Sequence, residues 1–282
     1  MFIPLKENIL PQSSPETLSG AQIVVRLLER QGVRTLAGIP GGAILPIYDA
    51  LSASKLIHHV LVRHEQGGGF IAQGMARATG QPAVCMASSG PGATNLLTAI
   101  ADAKLDSIPM VAITGQVPRA MIGTDAFQEV DTYGLSLPIT KHNFLVNAAA
   151  DLLDIIPRAF RIAASGRPGP VLIDIPKDVQ NQIVEVGEWP APGVAAAAPA
   201  PVVELIDAAA AMINDAAKPI LYLGGGVVHS GPAERAVALA EKAGLPTVMT
   251  LMALGAMPVD HSLSMGMLGM HGARYANLAL DE

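Results

Sequence analysis

The sequence predicts an α/β protein, a parallel sheet covered by helices and followed by a smaller, incomplete Rossmann-like α/β unit. Three observations carry this. From about residue 22 to residue 179, short apolar runs alternate with Ala-rich segments of helical period, the mark of βαβ units. The 28 glycines and 22 prolines suit many tight strand-to-helix turns. Hydrophobic residues make up 50% of the 282 positions and charged ones 15%, too apolar for disorder and enough to bury a real core.

The elements follow in order. A helix is expected at 20–31, then a strand at 34–39 that runs into GIPGG (38–42). A helix at 45–54 leads to a strand at 57–62, which exits through RHEQGGG (63–69) into a helix at 67–79. The run AVCMA (83–87) is a strand without a polar residue, followed by SSGPGATN (88–95) and a helix at 93–104. A strand at 109–114 opens into TGQVP (114–118), and a helix at 152–164 precedes a last strand at 170–175. Right-handed crossovers put the loops after these strands on one edge of the sheet, where ligands of open α/β sheets bind.

The stretch WPAPGVAAAAPAP (189–201) lacks charge and core periodicity and reads as a linker. Beyond it come a helix at 202–215, a strand at 219–223, a GGG turn, a helix at 232–243 and a strand at 246–250. The pattern stops at LALDE, a helix heading for another strand, so the second domain is expected to be cut short. The organisation expected is an extension (1–17), a main domain (18–188), the linker (189–201) and a partial domain (202–282).

Composition excludes several functions. Net charge is −6 and aromatics are 4%, so a nucleic-acid footprint is absent. Cys85 is the single cysteine, which excludes a disulfide framework or a cysteine metal cage and fits a reducing compartment. The N-terminus carries acids and prolines where a signal peptide needs an apolar core. The uncharged stretch 243–259 is short for a membrane span and is broken by Gly and Pro. A soluble cytoplasmic protein, with no membrane and no nucleic-acid partner, is expected.

Familiar catalytic motifs fail on inspection. His64-Glu65 would begin a zinc HExxH motif, but residue 68 is Gly. Ser89 lies between Ala87 and Pro91 where a nucleophile elbow needs glycines, and no Walker phosphate loop exists. His58, His59 and His64 read as surface or packing histidines, and no metal ligand set is assigned. GIPGG sits where a dinucleotide fold has its phosphate turn, yet Pro40 takes the place of the second glycine; SSGPGATN offers G-x-G and then Asn95. Sharp turns alone would explain either loop.

Glu65 stands out as a carboxyl between a strand and a Gly-rich helix start. Desolvation would raise its pKa, whereas the helix N-terminus and Arg63 would lower it. It is either a proton-active group or an acid capping the helix, and both readings stay open on the residues alone.

The segments GIPGGAILPIYDAL, RHEQGGGFIAQGMARATG, AVCMASSGPGATNLLTAIADAKLDSIPMVAITGQV, IGTDAFQEVDTYG and SGRPGPVLIDIPKDVQ together resemble the catalytic large subunit of acetohydroxyacid (acetolactate) synthase, a thiamine diphosphate family. The resemblance runs from about residue 18 to the end in the family's order. It implies a pyrimidine-binding domain followed by the first part of a central FAD-binding domain. Glu65 matches the glutamate that hydrogen-bonds the aminopyrimidine of thiamine diphosphate and favours the tautomer able to remove the ring C2 proton. Ile39, Pro40, Gly41, Gly42, Pro91 and Asn95 match segments lining that cofactor. Gln128 and Phe127 match an FQE segment at the catalytic centre, on the substrate side for Phe127, and Lys177 matches a lysine of the substrate channel. Arg167, Gly224, Gly225, Gly226, Thr250, Leu251, Met252, Leu268, Gly269, Met270, His271 and Gly272 match FAD-contacting segments, and the FAD is mainly structural. For Arg167 a surface guanidinium is the plainer alternative, and for the Met-rich 249–270 stretch it is core packing.

The resemblance also implies what is missing. The family holds Mg2+ and the diphosphate with a GDG motif in a further domain, and this sequence contains no Gly-Asp dipeptide. The expectation is a partial enzyme of branched-chain amino-acid synthesis, inactive alone. It would pair as a homodimer, or a mixed dimer, with a chain carrying the diphosphate domain; a regulatory small subunit follows by analogy. Three alternatives stay open: another thiamine-dependent carboligase or decarboxylase, a non-catalytic partner module, and a nicotinamide oxidoreductase.

Overall fold

The computed structural model describes residues 15–231 and 233–281. The chain divides into two compact units, one up to Ala197 and one from Ala198. The first contains, in order, β1 (Glu16–Ser19), α1 (Gly20–Arg30), β2 (Thr35–Gly38), α2 (Leu45–Ser52), β3 (His58–Leu61), α3 (Glu65–Thr79), β4 (Ala83–Ala87) and α4 (Pro91–Leu105). It continues with β5 (Met110–Gln116), α5 (Thr132–Ser136), β6 (His142–Leu145), α6 (Leu152–Ala164), β7 (Pro170–Pro176), α7 (Lys177–Asn181) and β8 (Ile183–Val186). Six strands form one sheet in the order β3-β2-β4-β5-β7-β6, every pair parallel. This is the α/β class the alternating pattern predicts.

Residue size separates the two faces of the sheet. Leu36, Val84, Met86, Val111, Ile113, Val171 and Ile173 pack into one cluster with Ile23, Leu27 and Leu28 of α1 and Ile156 and Phe160 of α6. Successive strand residues point to opposite faces, so Ala37, Cys85 and Ala112 turn the other way, toward α3 and α4. Small residues there let α3 lie close: a Cβ on Gly69 would stand 2.5 Å from the Ala99 Cβ of α4. Ser19 caps α1 in a capping box, accepting from the Gln22 amide at 3.3 Å while Gln22 Oε1 accepts from the Ser19 amide at 2.8 Å.

Several boundaries differ from expectation. α3 begins at Glu65 rather than 67, and α4 at Pro91 rather than 93, because His64 and Gly90 act as the residues before the first turn. Proline at the first helical position needs no amide partner and has its φ preset. β1 was not expected; ETLS has no apolar alternation and becomes a strand by antiparallel pairing with β8. β6, α5 and α7 are likewise too short for a periodic signal. Residues 1–14 of the expected extension lie outside the described residues.

The Pro/Ala-rich stretch has no helix or strand, yet its first half is tied to this unit. Trp189 packs on the core, the Gly193 amide donates to Gln31 Oε1 at 3.1 Å, and the Ala196 amide donates to Ser165 Oγ at 3.0 Å.

The second unit contains α8 (Val203–Asp215), β9 (Leu221–Leu223), α9 (Gly225–His229), α10 (Glu234–Ala243), β10 (Thr247–Met249), β11 (Ser264–Met267) and α11 (Arg274–Asp281). Its three strands run parallel in the order β11-β10-β9. Leu223, Ala240, Leu245, Met249, Ala253 and Met257 form a small core. β11 and α9 were not predicted, α11 is the helix expected around LALDE, and the start of the helix expected at 232–243 falls on residue 232, outside the described residues.

Candidate active site

Chain order reverses around β2, which has β3 on one side and β4 on the other. In open α/β sheets the crevice at the carboxyl ends of such strands is the ligand position. Ile39, Pro40, Gly41 and Gly42 leave β2 there, opposite the turn after β4. The two loops touch: a Cβ on Gly41 would lie 2.5 Å from the Ser88 Cβ, and the Ala43 amide donates to Ser88 Oγ at 3.3 Å. Gln180, fully buried in α7, holds the same loop from below, its Nε2 donating to the carbonyls of Ala43 and Ile175 at 2.7 Å each.

Glu65 is the first residue of α3, and capping falls to His64, whose Nδ1 accepts from the Gln66 amide at 3.2 Å. The capping reading of Glu65 is thereby corrected. Its Oε2 instead accepts from Asn95 Nδ2 of α4 at 2.9 Å. Its Oε1 lies 3.5 Å from where a Cβ on Gly92 would be, so the carboxylate rests against the first turn of α4. Two helix starts thus meet at one carboxylate, and their partial positive charge favours an anion. Beneath it, Tyr48 keeps a buried hydroxyl with no hydrogen-bond partner. Burial pushes its phenol well up, with Cys85 and Glu65 adding repulsion. His58 is exposed and His59 packs edge-on to Tyr48.

Phe127 and Gln128 sit on the long loop after β5. Gln128 has φ +58° and Asp125 φ +55°, unusual for residues with a side chain. Pro91 opens α4 just after Gly90, whose own φ is +55°; a Cβ on Gly90 would be 2.6 Å from the Gln128 carbonyl oxygen. The Gln128 backbone therefore lies on the turn that starts the helix carrying Asn95. The Phe127 side chain is 87% exposed.

Sequence reasoning missed the groups that hold this loop. Asp174, 1% exposed on β7, accepts from Thr114 Oγ1 at 2.7 Å and from Gln116 Nε2 at 3.0 Å. The other proton of that amide goes to the Val130 carbonyl at 2.9 Å, and Gln116 Oε1 accepts from the Val117 amide at 2.8 Å. Burial pushes the Asp174 carboxyl up to about 7; the hydrogen bonds from Thr114 and Gln116 pull the other way, and Asp131 adds to the rise. One signal was present: an acid inside the apolar run PVLIDIP cannot be buried without partners.

Lys177 begins α7 and lines a different place, a cleft of about 460 Å³ with Gln22, Pro46, Asp49 and Asn181. The structure does not put it in contact with Glu65 or Phe127. Its neighbour Asp178 does reach the loop, accepting from the Arg119 amide at 3.0 Å and from Arg119 Nε at 2.7 Å. Burial opposes ionisation of Asp178, but the Arg119 amide and guanidinium hold its carboxyl below the usual range.

Arg167 precedes β7 and so lies at the amino edge of the sheet, away from Glu65. It is exposed, with Nε donating to Ser107 Oγ at 2.6 Å and a terminal nitrogen donating to the Leu105 carbonyl at 3.1 Å, closing the end of α4. In the second unit, by contrast, the flavin candidates converge. Gly224, Gly225 and Gly226 follow β9, Thr250, Leu251 and Met252 follow β10, and Leu268, Gly269, Met270, His271 and Gly272 follow β11. Parallel strands bring all three loops to one carboxyl edge. Open space adjoins Gly224 and Gly226, Thr250 Oγ1 is buried without a partner, and Met270 is 92% exposed. The Gly269 amide is fixed by Asn277 Oδ1 at 2.7 Å. A bare glycine edge with an orphaned hydroxyl fits a large polar cofactor.

Among the described residues, no three His, Cys, Asp or Glu side chains are placed to hold a metal ion, and no helix is long and apolar enough to cross a membrane. Comparison with known families now bears on this geometry. The family described as "Thiamine pyrophosphate enzyme, N-terminal TPP binding domain" matches residues 18–135, and "Thiamine pyrophosphate enzyme, central domain" matches 206–282. The chain belongs to the thiamine pyrophosphate enzymes.

Its curated relatives narrow the class. It is 64% identical over 270 residues to the acetolactate synthase isozyme 1 large subunit of Escherichia coli K12, across 96% of this chain and 48% of that protein. It is 52% identical over 274 residues to the acetolactate synthase large subunit of Corynebacterium glutamicum, across 96% of this chain and 44% of the relative. It is 50% identical over 282 residues to the chloroplastic acetolactate synthase 2 of Nicotiana tabacum, across 98% and 42%. The chain spans about half the length of the curated relatives it matches.

Proposed function

We propose that this chain is the N-terminal part of an acetolactate synthase catalytic subunit. The complete enzyme would condense pyruvate with a second 2-keto acid, pyruvate or 2-oxobutyrate, with loss of CO2, in cytoplasmic branched-chain amino-acid synthesis. Residues 18–188 are read as the pyrimidine-binding domain, 189–201 as a linker and 202–282 as the first part of the FAD-binding domain. The observation that carries the reading is the Glu65 carboxylate, set at the reversal point of a parallel sheet and held by Asn95 at 2.9 Å.

Thiamine diphosphate, when bound, supplies the carbanion chemistry by which a 2-keto acid loses CO2 and joins a second one. The protein's part is to hold the ring and move a proton. Glu65 Oε1, free of the Asn95 bond, is the atom that would hydrogen-bond a ring nitrogen, and Asn95 keeps the carboxylate turned toward it. Ile39 to Gly42 and Pro91 would line the ring, on two loops that meet at Gly41 and Ser88. Gln128 and Phe127 would face the substrate side, and Lys177 its approach. The three loops of the second unit would hold FAD. Mg2+ and the diphosphate would need residues outside these 282, brought by pairing with a chain that carries the diphosphate-binding domain, in a homodimer of complete subunits or a mixed dimer; a small regulatory subunit is the further partner the relatives' naming as large subunits supports.

The test is acetolactate formation from pyruvate with thiamine diphosphate, Mg2+ and FAD, first by this chain and then with a complementary C-terminal half added. Activity only after addition is the expected result. Absence of activity from the folded, mixed halves would overturn the reading.

A further inference from the structure

Three features of the first unit are candidates for a role beyond the one proposed: the cleft beside Lys177, the edge of the sheet at β6, and the buried polar network behind the loop after β5. Only the last joins a fully buried carboxylate to a segment that carries candidate site residues. Gln116 is 2% exposed and Asp174 1%. Gln116 ends β5 and Asp174 lies two residues before the end of β7, in strands side by side in the sheet, where Thr114 pairs with Asp174 and Gln116 with Pro176. The Gln116 amide is fully used, one proton on Asp174 Oδ2, the other on the Val130 carbonyl, and its oxygen on the Val117 amide. The Val130 contact lies two residues beyond Gln128, whose left-handed backbone has no helix or strand to stabilise it.

We propose that Gln116 is a positioning residue, oriented by Asp174, that latches the loop through the Val130 carbonyl and so holds Phe127 and Gln128 over the Gly90 turn. The latch follows from the hydrogen bonds alone. That the loop faces a 2-keto acid rests on the function proposed above. A strained loop residue persists only where its surroundings over-determine it: Gln128 lies against Gly90, the Glu129 amide bonds across it to the Ala126 carbonyl, and two residues on the Gln116 amide joins the Thr132 amide at the Val130 carbonyl. Thr114 serves as the internal control: it donates to the same carboxylate at 2.7 Å but has no bond to the loop.

Amide hydrogen exchange on the 282-residue chain, without cofactor, tests this. Gln116→Met removes the amide at similar length. Gln116→Asn keeps an amide beside Asp174 but is one methylene short of also reaching Val130, and it remains informative if the Met variant does not fold. Both are expected to speed exchange in 127–132 about tenfold, the effect of one lost buried hydrogen bond on local opening, while β5 and β7 stay protected. Thr114→Val is expected to leave 127–132 unchanged even where it lowers global stability. Unchanged exchange in the Gln116 variants, or equal acceleration in Thr114→Val, would overturn the latch. Because no cofactor or substrate is present, failure of the functional reading would leave this result unaffected.

Discussion

Asn95 Nδ2 donates a 2.9 Å hydrogen bond to Oε2 of Glu65, joining the amino-terminal parts of two adjacent helices at one half-buried carboxylate. The bond uses one oxygen and leaves the other facing the Gly92 turn. If Glu65 handles a proton on a bound ring, Glu65→Gln should lower acetolactate formation in the reconstituted site by about a hundredfold or more, the usual scale of acid–base assistance. Asn95→Ala should cost less, since the carboxylate survives. Asn95→Asp should cost more than Asn95→Ala, because two carboxyls in contact cannot both ionise cheaply. Exchange of the thiazolium C2 proton, followed by NMR, would rank the three; an unaffected rate in Glu65→Gln would remove the residue from the mechanism.

Gly90 predicts a purely structural effect nearby. Its backbone at φ +55° and ψ −120° suits only glycine, and an added methyl would meet the Gln128 carbonyl oxygen at 2.6 Å. Gly90→Ala should destabilise the first unit by about 2–4 kcal/mol. Gly92→Ala, two residues on, meets its nearest neighbour at 3.4 Å in ordinary helical geometry and should change stability by less than about 1 kcal/mol. Urea unfolding read by Trp189, the single tryptophan and packed on this core, measures both.

Asp174 and Asp178 should give stability profiles of opposite slope. The Asp174 carboxyl, raised to about 7, favours the folded state fully below the ordinary carboxylate range near pH 4, and that contribution is lost as pH rises toward 7. Asp174→Asn can still accept from Gln116 and donate to Thr114 Oγ1. It should flatten the slope and make the chain more stable than the unmodified one at pH 8, by at most about 4 kcal/mol. Asp178 is held below its usual value, so its contribution is present above about pH 4 and is lost as pH falls below that. Its pair with Arg119 is 45% and 35% exposed, so screening keeps the loss in Arg119→Ala within about 1 kcal/mol. Trp189-monitored unfolding between about pH 2 and pH 8 separates the two.

What the sequence disclosed and what it hid divide on physical lines. β4 and α6 match their predicted limits residue for residue because AVCMA is uniformly apolar and 152–164 keeps one apolar stripe. β1, β6 and β8 stayed hidden because four-residue strands owe their form to the strand they pair with. Glu65 was visible as an acid between strand and glycines, whereas its partner Asn95, 30 residues on, becomes its neighbour only when α3 packs on α4. Gln116 and Val130 meet through a loop with no periodic pattern. Arg167 shows the reverse case: a residue whose segment was conspicuous in the sequence, yet whose contacts in this unit are those closing the end of α4.

Cys85 offers a direct test of how well the central sheet is sealed. It lies in β4 between β2 and β5, its side chain is wholly buried, and burial pushes its thiol up to about 12. At pH 8 such a thiol is thiolate about one part in ten thousand of the time, and no reagent can reach it while the strand is covered. It is the only cysteine in the chain, so any thiol colour reports this strand alone. Labelling with a chromogenic disulfide should therefore be slow under native conditions, at least about a thousandfold slower than for an exposed thiol. It should reach one equivalent at once in strong denaturant. Gly90→Ala, which weakens the same unit, should accelerate it in proportion to the lost stability where reclosing outpaces reaction. Rapid native labelling would mean that β4 is not shielded by α3 and its neighbouring strands.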